Sequence, residues 1–130
     1  LENIITSLRE IAKNRVVTVF GCGGDRDRTK RPKMGKIAAE LSDFCVVTSD
    51  NPRSENPAAI IEDILEGMKN ISTPYTVVES RKEAIRWAME NAQPDDIILL
   101  AGKGHETYQI LPTGTIHFDE REVIAEILEK

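Results

Sequence analysis

The segment Asp50-Asn51-Pro52-Arg53 combines residue types that suit the binding of a small, carboxylate-bearing molecule. Arg53 offers a planar fork of N–H donors that matches a carboxylate, and Asn51 offers one acceptor and two donors. Pro52 lacks a backbone donor and stiffens the segment. Taken alone, the tetrapeptide is better explained as a turn whose arginine makes a surface ion pair. A binding role therefore depends on other segments.

Residues 21–32 form a glycine-rich stretch that could approach an anion closely. Its glycines let backbone amides face a negative charge, and the N-terminus of a following helix adds partial positive charge. Four basic side chains follow the glycines: Arg26, Arg28, Lys30 and Arg31. The stretch is neither a P-loop nor a G-x-G-x-x-G, which disfavours a nicotinamide cofactor. A solvated loop of mixed charge explains it equally well.

A third segment, Gly102-Lys103-Gly104-His105-Glu106, places a carboxylate beside two glycines that permit a tight backbone. Glu106 can accept hydrogen bonds from an ammonium group, whereas His105 is better explained as a residue that shapes the loop. No His/Cys cluster has metal-ligand spacing, and no Ser/His/Asp set is suggested. Arginines for carboxylates and a glutamate for an amine together suit an amino acid ligand.

Each of the three segments directly follows a predicted strand. Short apolar, β-branched runs predict strands at 16–20, 44–48, 76–78 and 97–100. In a parallel sheet these strand ends emerge on the same edge, where ligands of α/β proteins bind. The three loops are therefore predicted to converge.

Helical periodicity and capping residues predict five helices between and around these strands. The first helix covers residues 3–13, and the other four begin near Pro32, after Asn56, after Ser80 and after Asp119. The last is predicted to bury Val123, Ile124, Ile127 and Leu128. Trp87 lies off its helix's apolar stripe and is predicted to cover a groove or a neighbouring domain. Residues 108–111 and 115–118 predict a hairpin. The fold class is α/β, with a Rossmann-like, mostly parallel sheet, helices on both faces and an edge hairpin.

Composition narrows the classes of function. The chain has 130 residues, 40% of them hydrophobic, which predicts one compact domain with a real core. A net charge of −5 disfavours a nucleic-acid partner. No apolar run reaches transmembrane length and no signal peptide is visible, so no membrane partner is expected. Cys22 and Cys45 suggest no disulfide framework, which fits the cytoplasm. Because the chain starts at Leu1, we expect an excised domain with further domains upstream.

Together the three motifs resemble the C-terminal domain of Mur ligases, and most closely those that add 2,6-diaminopimelate. The resemblance runs from about Val16 to the chain end, through residues 19–27, 48–53 and 101–109. It implies that residues 1–130 are the amino-acid-binding domain, and that the family's N-terminal and central domains lie outside this sequence.

What the resemblance implies about chemistry is specific. These ligases join meso-diaminopimelate to the D-glutamate of UDP-N-acetylmuramoyl-L-alanyl-D-glutamate in cytoplasmic peptidoglycan synthesis. ATP phosphorylates the acceptor carboxylate, the amine attacks the acyl phosphate, and phosphate leaves. The P-loop, the lysine that holds magnesium and the UDP-binding domain belong to the other domains. ATP and magnesium are therefore expected in the complete enzyme, none is expected on this domain alone, and residues 1–130 alone are expected to be inactive.

The resemblance assigns diaminopimelate binding to five residues and a catalytic role to none. They are Arg26, Asn51, Arg53, Gly102 and Glu106. The arginines suit the carboxylates, Asn51 a polar end of the side chain, Glu106 the distal ammonium, and Gly102 offers backbone. Lysine-adding relatives have a different residue at the position of Asn51. The asparagine in this chain therefore favours diaminopimelate over lysine as the ligand. Lys30 and Arg31 are expected to reach the ATP phosphates when the domains close.

Three other interpretations stay open on the sequence. The first is a stand-alone module that binds diaminopimelate or a peptide fragment. The second is a different ligase of the same fold, such as a folylpolyglutamate- or cyanophycin-type enzyme. The third is a structural domain with a solvated, charged rim.

Overall fold

The computed structural model describes residues 2–24, 27–101 and 108–129. Four strands of these ranges share one sheet: β1 (Val16–Phe20), β2 (Phe44–Val47), β3 (Tyr75–Val77) and β4 (Ile97–Leu100). Five helices accompany them: α1 (Glu2–Ile11), α2 (Lys30–Leu41), α3 (Pro57–Glu66), α4 (Arg81–Glu90) and α5 (Glu120–Leu128). Strands β5 (Tyr108–Leu111) and β6 (Gly114–His117) pair with each other. The alternation of strands and helices predicted from the sequence is confirmed.

The four-stranded sheet is parallel throughout, with the order β3-β2-β1-β4. Strand β1 is central, and all five of its residues are buried, as expected for a parallel strand covered on both faces. The chain steps outward from β1 to β3 and then returns to the far side of β1 for β4. Ligands of such sheets bind outside the carboxyl ends of the strands where the order reverses, which here lies beside β1 and β4.

Helices cover both faces of the sheet, as predicted. On one face, α2 and α3 pack Ala38, Ile60 and Ile64 against Phe20 and Val47. On the other face, α4 packs Ala84 and Ala88 against the alternate side chains of β1 and β2. Helix α5 packs beside α4, where Val123 joins Ile85 in a smaller cluster. Two apolar layers therefore hold the sheet rigid and leave its carboxyl edge to the loops.

Local capping determines where the helices start. The Asn56 side chain accepts a hydrogen bond from the Ala58 amide at 2.9 Å, with Pro57 at the first helical position. Ser80 caps α4 and Asp119 caps α5 in the same way. Helix α2 begins at Lys30, two residues before the predicted start at Pro32. A proline is tolerated there because the first-turn amides have no helical acceptor.

The hairpin departs from its predicted position. Within the described ranges, β5 and β6 form a separate two-stranded antiparallel sheet and do not extend the parallel one. The second strand begins at Gly114, one residue earlier than predicted, because Gly114 pairs with Leu111. Its φ of 137° is a conformation that glycine accepts without a side-chain clash.

Two predictions about apolar side chains are corrected or resolved. Leu128 is 71% exposed, so its predicted burial is wrong: α5 ends there, and only its preceding turns reach α4. Trp87 stacks on Phe44 of β2, with ring centroids 5.3 Å apart and planes inclined by 21°. Trp87 therefore completes the core under α4 of this same chain. Among the described helices, none is long and apolar enough to cross a membrane.

Candidate functional site

The loops that follow β1 and β2 are held together at the carboxyl edge of the sheet. We call the contacts of Gly24 with Asn51 and Arg53 the clasp. The Gly24 amide donates to the Asn51 carbonyl at 2.7 Å, and Arg53 Nη1 donates to the Gly24 carbonyl at 2.9 Å. A Cβ added to Gly24 would overlap the backbone of Pro52, so only glycine permits this approach. The predicted convergence of these two loops is confirmed.

Arg53 is held in an unusual conformation. Its φ is 53°, in the left-handed region that non-glycine residues seldom occupy. The side chain folds back, and Nη1 bonds the carbonyls of Gly24 and Asn51 at 2.9 and 3.3 Å. Among the residues that the structure describes, Nε and Nη2 make no hydrogen bond. The arginine is therefore oriented through Nη1.

Asn51 lies beside Arg53 and is 3% exposed. Its carbonyl accepts the hydrogen bond from the Gly24 amide, so Asn51 is part of the contact between the two loops. The other three predicted amino-acid contacts, Arg26, Gly102 and Glu106, lie outside the described residues. The structure thus brings Asn51 and Arg53 together.

Arg31 is part of a buried ion-pair network. It is 1% exposed and pairs with Glu55 at 2.7 Å and Asp63 at 2.9 Å. The hydrogen bond that Arg31 donates to the Glu55 carboxylate raises the pKa of the guanidinium, which stays charged. Nη2 also donates to the Gly23 carbonyl at 3.3 Å. Arg31 therefore ties α2 to α3 and to both loops, and its contact with an ATP phosphate stays a prediction.

A cavity of about 490 Å³ opens between the glycine-rich loop and α2. Its lining combines backbone, two cations and sulfur: Gly21, Cys22, Gly23, Asp27, Lys30, Arg31, Met34 and Asp50. Burial raises the pKa of the Cys22 thiol to about 11, so Cys22 is neutral at pH 7 and is no nucleophile. Lys30 is exposed at the rim. The predicted contact of Lys30 with an ATP phosphate stays a prediction.

No group of three or more histidine, cysteine, aspartate or glutamate side chains in the described part of the chain is arranged to hold a metal ion. The acidic residues of the site are engaged otherwise: Glu55 and Asp63 neutralise Arg31. The hydroxyl of Thr29 holds the pKa of Asp27 below its usual range by donating a hydrogen bond to it.

Sequence reasoning missed two buried polar side chains that contact the loop after β2. Arg81, at the start of α4, and Gln109, on β5, are 1% and 4% exposed. Nothing in the local sequence distinguishes Arg81 from a solvated first-turn residue. Gln109 belongs to the third motif, but no local pattern shows its acceptor.

The family model described as Mur ligase, glutamate ligase domain, matches residues 1–104. The chain belongs to this Mur ligase family. The resemblance drawn from the three motifs is thereby confirmed, and the α/β fold agrees with it.

Relatives of this Mur ligase domain carry the name UDP-N-acetylmuramoyl-L-alanyl-D-glutamate–2,6-diaminopimelate ligase. The protein of Caldanaerobacter subterraneus is 58% identical over 98% of the chain and 27% of its own length. That of Clostridium botulinum is 58% identical over 100% and 26%, and that of Trichormus variabilis is 61% identical over 94% and 24%. The chain thus spans about a quarter of these relatives.

A solved structure bearing the same name superimposes on the Mur ligase domain with a TM-score of 0.90 at 36% sequence identity. The superposition covers 98% of the chain and 26% of the solved one. Since both fold and sequence agree over nearly the whole chain, the clasped loops belong to a domain of this family.

Proposed function

We propose that this Mur ligase domain binds meso-diaminopimelate for an ATP-dependent ligase that adds it to UDP-N-acetylmuramoyl-L-alanyl-D-glutamate. The observation that carries the proposal is Arg53, held at a φ of 53° and hydrogen-bonded to Gly24 across the clasp. A strained, non-glycine conformation persists only where its surroundings over-determine it, and such positions cluster at ligand clamps. The names of the relatives support the same ligand.

Recognition rests on matching the two carboxylates and the distal ammonium of the ligand. Arg53 and Arg26 pair with carboxylates, Asn51 hydrogen-bonds a polar end, Glu106 accepts from the distal ammonium, and Gly102 brings backbone close. A fork of guanidinium donors suits a planar carboxylate. L-Lysine lacks the distal carboxylate, and a site built for that group would be left with unpaired polar partners.

The nucleotide would meet this chain at the cavity between the glycine-rich loop and α2. Lys30 at its rim and the glycine backbone would hold a phosphate, with Arg31 as a second cation behind them. When bound, ATP supplies the phosphoryl group that activates the acceptor carboxylate. The role of this chain is to hold the incoming amino acid by its carboxylates and distal ammonium, so that one amine is left to react.

We further propose that residues 1–130 are one domain of a longer ligase and do not catalyse ligation alone. The magnesium ion and the UDP-linked acceptor would be held by the ligase's other domains. The proposal is supported by the quarter-length match to the relatives. Release of phosphate is expected to stay at background when the chain receives ATP, magnesium and both substrates. Steady turnover would contradict it.

Calorimetric titration tests the amino-acid site. The chain is expected to bind meso-diaminopimelate and to bind L-lysine much more weakly. Arg53→Gly removes the guanidinium and accepts the left-handed φ without strain, so it is expected to lower affinity on the order of tenfold to a hundredfold, the loss typical of a charged hydrogen bond.

The matched control is Arg121→Ala, which removes a guanidinium whose side chain is 76% exposed on α5, and unchanged affinity is expected. Equal binding of L-lysine would contradict selection for the distal carboxylate. No binding of either amino acid would contradict a preformed site on this chain.

A further inference from the structure

We infer that Gln109 and Arg81 are positioning residues for the amino-acid site, because they hold the two consecutive backbone carbonyls that precede Asn51. The inference rests on the proposed function. Neither side chain is assigned a contact with the ligand. Their effect would be transmitted through the Ser49–Asp50 backbone to the loop that carries Asn51 and Arg53.

Gln109 reaches this backbone from the hairpin. It is 4% exposed, and Nε2 donates to the Asp50 carbonyl at 2.6 Å and to Ser49 Oγ at 3.4 Å. The contact joins residues 59 positions apart, so it joins β5 directly to the loop after β2. A partly buried carbonyl that loses its donor loses part of the compensation for its desolvation, so replacing this amide is expected to loosen the loop.

Arg81 reaches the same backbone from the start of α4. Nη1 donates to the Ser49 carbonyl at 3.4 Å and Nη2 to the Ala101 carbonyl at 2.9 Å. Nε pairs with Glu120 of α5 at 2.8 Å, and the two side chains are 0% and 9% exposed. One guanidinium therefore ties the ends of β2 and β4 to α4 and α5. Lysine could not make these three contacts, because its ammonium is a single point.

These contacts lie next to the residues that are proposed to bind the ligand. Asp50 directly precedes Asn51, and Arg53 keeps its left-handed φ only while the backbone on either side is held. The contacts with Gly24 hold Asn51 and the Arg53 side chain themselves. Ala101 and Gln109, the first and last residues of the stretch 101–109, are thus both connected to the Ser49–Asp50 dipeptide, Ala101 through Arg81.

The test replaces each side chain and follows two readouts. Gln109→Met keeps length and burial but removes the amide, and Gln93→Met makes the same change at an exposed glutamine. Arg81→Lys is paired with Arg86→Lys on the same helix. The first readout is calorimetric affinity for meso-diaminopimelate. The second is amide hydrogen exchange in the ligand-free chain at Gly24, whose N–H bonds Asn51, compared with Ile97, whose N–H bonds Arg15 at the opposite edge.

Gln109→Met and Arg81→Lys are expected to weaken binding about tenfold and to speed exchange at Gly24 while Ile97 stays protected; the controls are expected to change neither. Exchange that rises equally at both amides, or at neither, would overturn the inference, since a merely structural role acts on the whole fold. Failure of the unsubstituted chain to bind would instead refute the proposed function, and the exchange comparison would still decide whether the two side chains hold the loop.

Discussion

At the scale of single residues, two neighbouring cations at the start of α2 have opposite environments. Arg31 is 1% exposed and paired with Glu55 and Asp63, whereas Lys30 is exposed at the cavity rim. Successive residues of a helix point about 100° apart, so α2 turns one side chain toward α3 and leaves the other outside. The two residues should therefore respond differently to substitution.

Substituting Lys30 and Arg31 one at a time distinguishes a role in ATP binding from a role in the stability of the fold. In a complete ligase that carries this domain, Lys30→Met is expected to raise KM for ATP and to leave the melting temperature unchanged. Arg31→Met is expected to destabilise the chain by about 3 kcal/mol, because it removes the buried guanidinium that pairs with Glu55 and Asp63. Thermal unfolding and initial-rate kinetics measure the two effects. Lys33→Met, at an exposed position of the same helix turn, is the control.

Unchanged KM for ATP in the Lys30 variant would contradict its phosphate contact. Full stability of the Arg31 variant would show that the ion pairs do not hold α2 and the loops together.

At the scale of elements, glycines determine how closely the pieces of this fold approach. Gly24 lets the loops after β1 and β2 touch, and Gly35 and Gly67 let α2 and α3 touch, since an added Cβ at each would overlap backbone of the facing segment. Gly24 and Gly67 are comparable, because each meets the carbonyl of a proline: Pro52 for the first and Pro32 for the second. The Gly24 contact lies at the proposed binding site, and the Gly67 contact lies between α2 and α3.

Substituting alanine at these two glycines distinguishes a site contact from a packing contact. Both variants are expected to lose about 1–3 kcal/mol of unfolding free energy, the usual cost of overpacking. Only Gly24→Ala is expected to weaken diaminopimelate binding, because it separates Asn51 and Arg53 from the glycine-rich loop. Denaturant unfolding and calorimetry at a temperature where both are folded measure this. Equal affinities would contradict the role of the clasp.

At the scale of the whole molecule, the two edges of the sheet are held by different contacts. The carboxyl edge carries the clasped loops, and the amino edge is closed by an ion pair between Arg15 and Asp96 at 2.7 Å. The Asp96 side chain is 1% exposed and also accepts from the amide of Gln93 and the side chain of Asn14. Because β1 and β4 start beside this pair, it stabilises the sheet that carries the loops of the carboxyl edge.

The ion pair predicts how stability depends on pH. Hydrogen bonds from Arg15 hold the pKa of Asp96 below its usual range. Its stabilisation is therefore present above the unfolded-state pKa, about 4, and is lost as pH falls through the lower folded value. Asp96→Asn is expected to cost about 2 kcal/mol at pH 7 and less at pH values near 3. Urea unfolding across this range measures it, and a constant cost would contradict the assignment.

The sequence by itself determined the features that depend on near neighbours. The strands, the caps of Asn56 and Ser80, and the placement of Asn51 and Arg53 after a strand all follow from hydrophobic periodicity and from hydrogen bonds spanning two or three residues. The family followed from the three motifs for the same reason, because each motif is a short continuous segment.

Only the tertiary structure decided which polar side chains are buried and what they contact. Arg31, Arg81 and Gln109 look like solvated residues in the sequence, yet each has partners between 24 and 60 positions away. Leu128 shows the converse, since helical periodicity marks an apolar face but not how far along the helix its neighbour reaches. Which residues become long-range partners depends on how the elements pack in three dimensions, and a local sequence pattern does not specify that packing.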